Sequence, residues 1–292
     1  MILVGIPGPL FTTFLLLFAS CYAASEMTEG FVDNKDIKIH YLEKKGNQAA
    51  KGPALLFIPG LSMPAWIWKK QLDYFGERYR VVAMDPRSQG DSTQTNEGLY
   101  PSGRAEDIKA IVDQLHLKPV VLIGWSIAVS EIIAYLDQHG SENVAAIVLV
   151  DGFAGLEMGS PLFLQLRNYW FEFQKNRNSN SKIFIGGMFN QPQTEEFLKK
   201  LSLDSRRMPT NTWMTLAYNF ILLDQRSKLP SIKIPVLIVT INAPWQEEIK
   251  AMQKLIPHAE LSVIPEAGHA VFVDQPERFN YVVEKFLETT QI

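Results

Sequence analysis

An α/β fold is predicted, with a mostly parallel central sheet, helices on both faces and a helical cap inserted after the sixth strand. Three observations carry this. Short apolar runs bounded by Gly or Pro alternate with amphipathic segments of helical period, a rhythm that implies right-handed strand–helix–strand crossovers and a sheet covered on both sides. One interval, roughly eighty residues between Asp151 and Pro235, breaks the rhythm and is too long for a plain connector. Of the 292 residues, 47% are apolar, enough for one large core.

The N-terminus stands apart from that pattern. Residues 1–25 carry no charged side chain, and Leu10–Ala19, "LFTTFLLLFA", has the length of a signal-peptide core rather than of a bilayer span. Residues 1–23 are therefore expected to be an export signal, cleaved after Ala23 in "SCYA", and residues 28–292 the folded domain. "LFASC" also resembles the lipobox of bacterial lipoproteins, which would lipidate Cys21 and attach the protein to a membrane. An uncleaved anchor and a segment that is no signal at all are the remaining alternatives. Export places the protein in a periplasmic or secreted location. Cys21 is the chain's single cysteine, so the folded part has neither a disulfide framework nor a thiol nucleophile.

"GFVDNKDIKIHYLEKKG" alternates apolar and polar residues, as an antiparallel entry hairpin does. The buried strands that follow are read at "ALLFIPG", "RVVAMD", "PVVLIGW", "VAAIVLVDG", "IPVLIVTI" and "AELSVIPEAG". Between and after them, helices are read at "AWIWKKQLDYF", "GRAEDIKAIVDQL", "AVSEIIAYLDQHG", "EEIKAMQKLIP" and "PERFNYVVEKFLET". The interval 155–229 holds aromatic and Met-rich helical stretches, "PLFLQLRNYWFEFQK", "IFIGGMF" and "NTWMTLAYNFILLD". It is expected to form the cap over the carboxyl edge of the sheet, where open α/β sheets bind ligands. The net charge of −3, from 28 basic and 31 acidic residues mixed along the chain, excludes the basic stripe of a nucleic-acid binder.

Chemistry concentrates at three places. Ser126 in "GWSIAVS" follows an apolar strand and precedes a helix, with small residues, Gly124 and Ala128, two positions to either side. A nucleophile on a strained strand-to-helix turn needs that, because the two backbones pass close together. The alternative is a helix-capping serine. Of five histidines, His269 alone lies after the last strand, where it can reach back over the sheet edge as a base. The acid is less determined. The loop after the seventh strand, "PVLIVTINAPWQEE", holds no carboxylate before Glu247 and Glu248, so Asp151 at the end of "IVLVD" is the first candidate; Glu247, Glu248 or a neutral partner such as Asn242 are the others. Backbone N–H groups of Ile127 and of Leu61 in "PGLSMPAW" are the expected oxyanion donors. Ser62, Trp125, Met188, Phe189, Trp213 and Val271 are expected to line an apolar, adaptable pocket. "DPRSQGDS" (Asp85–Ser92) and Asp274 are read as structural braces.

With "GWSIA", "VLVDG" and "EAGHAVFVD" in hand, the chain resembles the α/β-hydrolase superfamily, and within it the single-domain bacterial esterases related to cofactor-free haloperoxidases. "DPRSQGDS", "LYPSGRAEDIKAIVDQL" and "GHAVFVDQPERFN" match that group's loops, and the order Ser126, Asp151, His269 matches its Ser, acid, His order. The resemblance implies a serine hydrolase that acts on small-molecule esters, with an apolar acyl group, through an acyl-enzyme and with no metal or organic cofactor. A receptor-like binder with little turnover and a perhydrolase are the alternatives. Pro59 where a His is common, Ala128 for Gly, and the empty acid station after strand seven depart from the family pattern.

Overall fold

The computed structural model describes residues 26–46 and 52–292, so the expected signal segment and Cys21 lie outside the described residues. Eight strands form one sheet: β1 Thr28–Asn34, β2 Ile37–Lys45, β3 Ala54–Ile58, β4 Arg80–Met84, β5 Val120–Trp125, β6 Val144–Val150, β7 Val236–Thr240 and β8 Glu260–Val263. Their spatial order is β1-β2-β4-β3-β5-β6-β7-β8. β1 pairs antiparallel with β2 and β2 with β4, and every pairing beyond β4 is parallel. The entry hairpin thus extends an otherwise parallel sheet at one edge.

The helices are α1 Lys69–Phe75, α2 Pro101–Gln114, α3 Ala128–His139, α4 Pro161–Lys175, α5 Arg177–Gly186, α6 Glu195–Ser205, α7 Thr210–Leu222, α8 Gln246–Leu255, α9 Val271–Asp274 and α10 Pro276–Thr289. Strand residues alternate between two cores, as the two-residue period requires. Leu56, Leu122 and Leu149 face a layer with Ile108 of α2, Ile132 of α3 and Met252 of α8. Phe57, Ile123 and Val148 face the opposite layer with Leu72 of α1 and Phe279 of α10. Both faces are covered, which is why the central strands read as unbroken apolar runs.

Several boundaries differ from the sequence reading. The segment 65–75 opens as a tight 3-10 turn over Ala65–Trp68 before turning α-helical at Lys69. α2 starts two residues early, at Pro101, where a proline at the first helical position loses no hydrogen bond. α6 has no counterpart in the sequence reading. Its start carries a signal nonetheless: Thr194 Oγ1 accepts the N–H of Phe197, and Glu195 and Glu196 occupy the positive first turn.

Of the four helices α4 to α7 between β6 and β7, α4 and α7, with Phe184 of α5, pack around an apolar cluster in which Trp213 is fully buried, while Leu201 of α6 joins the core layer of α1 and α10. Phe173 stacks on Trp213 at 4.3 Å between ring centres, while Trp170 and Phe184 meet it edge-on. Ile127 and Phe153, from loops at the sheet edge, join the same cluster. The insertion is therefore seated over the ends of β5 and β6. No helix among the described residues is long and apolar enough to cross a membrane.

Candidate active site

Ser126 directly follows β5 and has a φ of 60°, a left-handed conformation that is costly for any residue with a Cβ. Its N–H still donates to Val150 O at 2.8 Å, so the chain leaves the ladder abruptly and enters α3. Crowding explains the glycines. A Cβ at Gly124 would lie 2.6 Å from Ile132 Cδ1 and 3.0 Å from Ala128 O. At Gly152 it would overlap Ser126 O and come within 2.8 Å of Val129 Cγ2. Gly152→Ala is accordingly expected to lower stability by about 1–3 kcal/mol and to displace the turn. A thermal melt and an activity assay check this together, and wild-type values in both would mean that the contact relaxes freely.

His269 and Asp151 meet across the sheet edge. His269 Nδ1 lies 2.6 Å from Asp151 Oδ2, with the histidine side chain 22% exposed and the carboxylate 0% exposed. The other carboxylate oxygen, Oδ1, accepts from Thr240 Oγ1 at 2.7 Å and from Trp245 Nε1 at 3.1 Å. Both donors come from the end of β7 and the loop after it, the station where the sequence reading finds no acid. That loop thus serves a carboxylate placed one strand earlier. Among the alternatives for the acid, Asn242 accepts from Gln246 and Glu247 pairs with Lys250 on the exposed side of α8, and neither Glu247 nor Glu248 borders the cavity.

The loop bearing His269 is held from two sides. Trp125 Nε1 donates to His269 O at 2.9 Å. Asp274 accepts the N–H groups of Gly268 at 2.7 Å and of Asn190 at 2.6 Å, and Ala270 N donates to Met188 O. Asp274 therefore fastens the histidine loop to the segment joining α5 and α6. Among the described residues no hydrogen bond joins Ser126 Oγ to His269, but both border one cavity. Catalytic contacts of this kind often tighten only around a substrate.

Leu61 and Ile127 border the same cavity, and among the described residues neither N–H donates to a protein acceptor. Two free donors flanking Ser126, one at the start of α3, can stabilise a developing oxyanion. The Leu61 loop is pinned by Gln89, a residue that the sequence reading does not single out. The Gln89 carboxamide accepts Ser62 N–H at 3.0 Å and Arg104 Nη2 at 3.0 Å, and donates to Gly60 O at 3.1 Å and Met63 O at 2.9 Å. Nearby, Asp85 accepts from Ala65 N at 2.6 Å and Arg87 forks onto Asp107.

The cavity encloses about 420 Å³. Of the six expected pocket residues, Trp125, Met188 and Trp213 line it, whereas Ser62, Phe189 and Val271 do not. Ser62 takes a positive φ and turns its hydroxyl to Ser205 of α6, 2.8 Å away. Phe189 packs edge-on against Phe197, and Val271 is fully buried in the core beneath. Much of the remaining wall comes from the α4 to α7 insertion, notably Leu166, Tyr169, Trp170, Phe184 and Phe220. Their helical spacing marks them as apolar, but only the packed insertion shows which face meets the cavity. As for metal ligands, His40, Asp85 and Asp91 lie within 4.8 Å of one another. They do not border the cavity, and Asp85 Oδ2 already accepts from both His40 Nδ1 and Asp91 N.

A predominantly parallel sheet of this order, with a strained serine after its fifth strand and a helical insertion after its sixth, defines an α/β-hydrolase-type fold. A model of the alpha/beta hydrolase family matches residues 55–280, and the chain belongs to that family. A bifunctional esterase/perhydrolase of Acinetobacter calcoaceticus is 26% identical over 282 residues, covering 89% of this chain and 100% of the relative. A 3-oxoadipate enol-lactonase of Acinetobacter baylyi is 26% identical over 247 residues, covering 82% of this chain and 90% of the relative. Among solved structures, a bromoperoxidase from Bacillus anthracis superposes with a TM-score of 0.81 at 20% identity, covering 89% of this chain and all of that one. An esterase from Exiguobacterium antarcticum gives 0.80 at 23%, covering 88% and 98%.

Proposed function

We propose that the chain is a carboxylic ester hydrolase working through a Ser126–His269–Asp151 triad. The observation that carries the reading is the 2.6 Å contact of His269 Nδ1 with buried Asp151, at a cavity that also receives Ser126 on its strained turn. Ser126 Oγ attacks the ester carbonyl while His269 Nε2 takes its proton, and Asp151 stabilises the imidazolium. The carbonyl oxygen becomes an oxyanion between the N–H groups of Leu61 and Ile127. Collapse of this intermediate breaks the ester C–O bond, and His269 returns the proton to the departing alcohol. Water, deprotonated by His269, then attacks the acyl-enzyme and releases the acid and Ser126.

The esterase names among the relatives support this reading. A fluorophosphonate probe is expected to label the wild-type protein at Ser126, with loss of ester hydrolysis in proportion, and to leave Ser126→Ala unlabelled. An unlabelled wild-type protein would favour a receptor-like binder instead. The likeness to an esterase/perhydrolase also supports a side reaction in which hydrogen peroxide replaces water at the acyl-enzyme and gives a peracid; peroxide added with a carboxylic acid tests it. The uncharged apolar segment Leu10–Ala19 supports export, with lipidation at Cys21 or cleavage after Ala23. Mass spectrometry of the mature N-terminus distinguishes these.

A further inference from the structure

Among the described residues, no Lys or Arg lines the cavity over Ser126. Asp151, His269 and Tyr169 are the titratable residues among its described lining. Three basic side chains of the insertion are engaged elsewhere: Arg177 donates to the backbone oxygens of Met208 and Ser205, Lys175 pairs with Glu172, and Arg167 bonds Asn168; Lys182, next to Ile183, is exposed and does not line the cavity. An anionic group drawn into this chamber would lose its water with no counter-charge, and would approach the Asp151 carboxylate besides.

The walls also have a shape. Phe153 stacks on Phe220 at 4.6 Å, and the Trp170, Phe173 and Phe184 rings lock Trp213 in place. Ring faces and edges fixed in this way favour offset or edge-on contact with a further ring. At about 420 Å³ the chamber sits near the small end of ligand pockets, which run from roughly 300 to 1,000 Å³. Tyr169 and Ile183 line both this chamber and a shallow groove of about 110 Å³ on the insertion, and they are 42% and 68% exposed. Tyr169 of α4 and Ile183 of α5 therefore stand where the chamber wall meets solvent.

Resting on the ester-hydrolase reading, we propose that the chamber selects neutral esters with a compact, ring-bearing acyl group, admitted between Tyr169 and Ile183, and rejects esters whose acyl group carries a carboxylate. Methyl esters test this, because a small alcohol leaves the chamber to the acyl part. Dimethyl adipate and monomethyl adipate share one chain and differ in charge. The diester is expected to be favoured about a hundredfold or more in kcat/KM, and methyl 3-phenylpropanoate is expected to exceed methyl acetate at least about tenfold. Ile183→Arg, a substitution at an exposed position, puts a cation at the opening and is expected to narrow the diester-to-monoester ratio about tenfold.

Equal or faster hydrolysis of monomethyl adipate by the wild-type protein would overturn the charge selection. Methyl 3-phenylpropanoate no better than methyl acetate would overturn the preference for rings. If methyl acetate, dimethyl adipate and the fluorophosphonate probe all fail to react, the ester-hydrolase reading falls first and this inference falls with it.

Discussion

Asp151→Asn is expected to lower kcat/KM for a small ester by about 10³–10⁴, while Asn242→Ala keeps near-wild-type activity. The argument rests on what each carboxylate oxygen does. Oδ2 meets His269 Nδ1, which must carry the proton there if Nε2 is to act as base toward Ser126. Oδ1 accepts from Thr240 and Trp245. An asparagine in that place can present its oxygen to only one side. With the oxygen toward Thr240 and Trp245, its NH₂ points at His269 and imposes the wrong tautomer. With the oxygen toward His269, the NH₂ opposes two buried donors. In neither orientation is an imidazolium stabilised by a charge. Asn242 is exposed and bonded to Gln246, so its loss leaves His269 untouched. Steady-state rates for both variants beside Ser126→Ala decide the matter. Near-full activity in Asp151→Asn with none in Ser126→Ala would sink the assignment of the acid.

The proposed catalytic residues are legible in the sequence where local pattern and position coincide. Ser126 sits between an unbroken apolar run and a helical one. Asp151 directly follows β6, and His269 follows β8. The supports are less legible because they are made by residues distant in the chain. Thr240 and Trp245 contact a carboxylate about ninety positions earlier, so the loop after β7 reads as an empty acid station when its donors serve Asp151. Gln89 reads as one polar turn residue among several. Proximity in sequence also misleads at the pocket: Ser62 and Val271 lie within two positions of residues that border the cavity, yet Ser62, at a positive φ, bonds Ser205, and Val271 is buried in the core. The segment 155–229 is legible as an insertion from its length and aromatic content. Which of its rings face the cavity follows only from how α4, α5 and α7 pack around Trp213.

Gln89→Met is expected to cut kcat about a hundredfold with little change in KM, because the side chain acts on the oxyanion site without touching the substrate. Its amide makes four hydrogen bonds, three of them to the backbone of residues 60–63. Methionine fills similar space but satisfies none of these, leaving the loop that offers Leu61 N–H free to shift. The support continues inward. Arg104, fully buried on α2, contacts Gln89 and lies 2.9 Å from Glu131 Oε1 on α3, the helix that begins just after Ile127. Gln89, Arg104 and Glu131 thus connect the two proposed oxyanion donors through one buried strut. Burial pushes the Glu131 carboxyl up to about 7, against the pull of Arg104. A carboxyl that holds its proton more tightly folded than unfolded favours the folded state increasingly as pH falls through that value toward 4.5. Glu131→Gln, which resembles the protonated form, is expected to flatten the pH dependence of the melting temperature between about pH 4.5 and pH 7. The kinetic and thermal readouts separate positioning from general weakening. A Gln89→Met enzyme that loses stability but keeps kcat within about threefold would show that the Leu61 N–H holds its place without the strut.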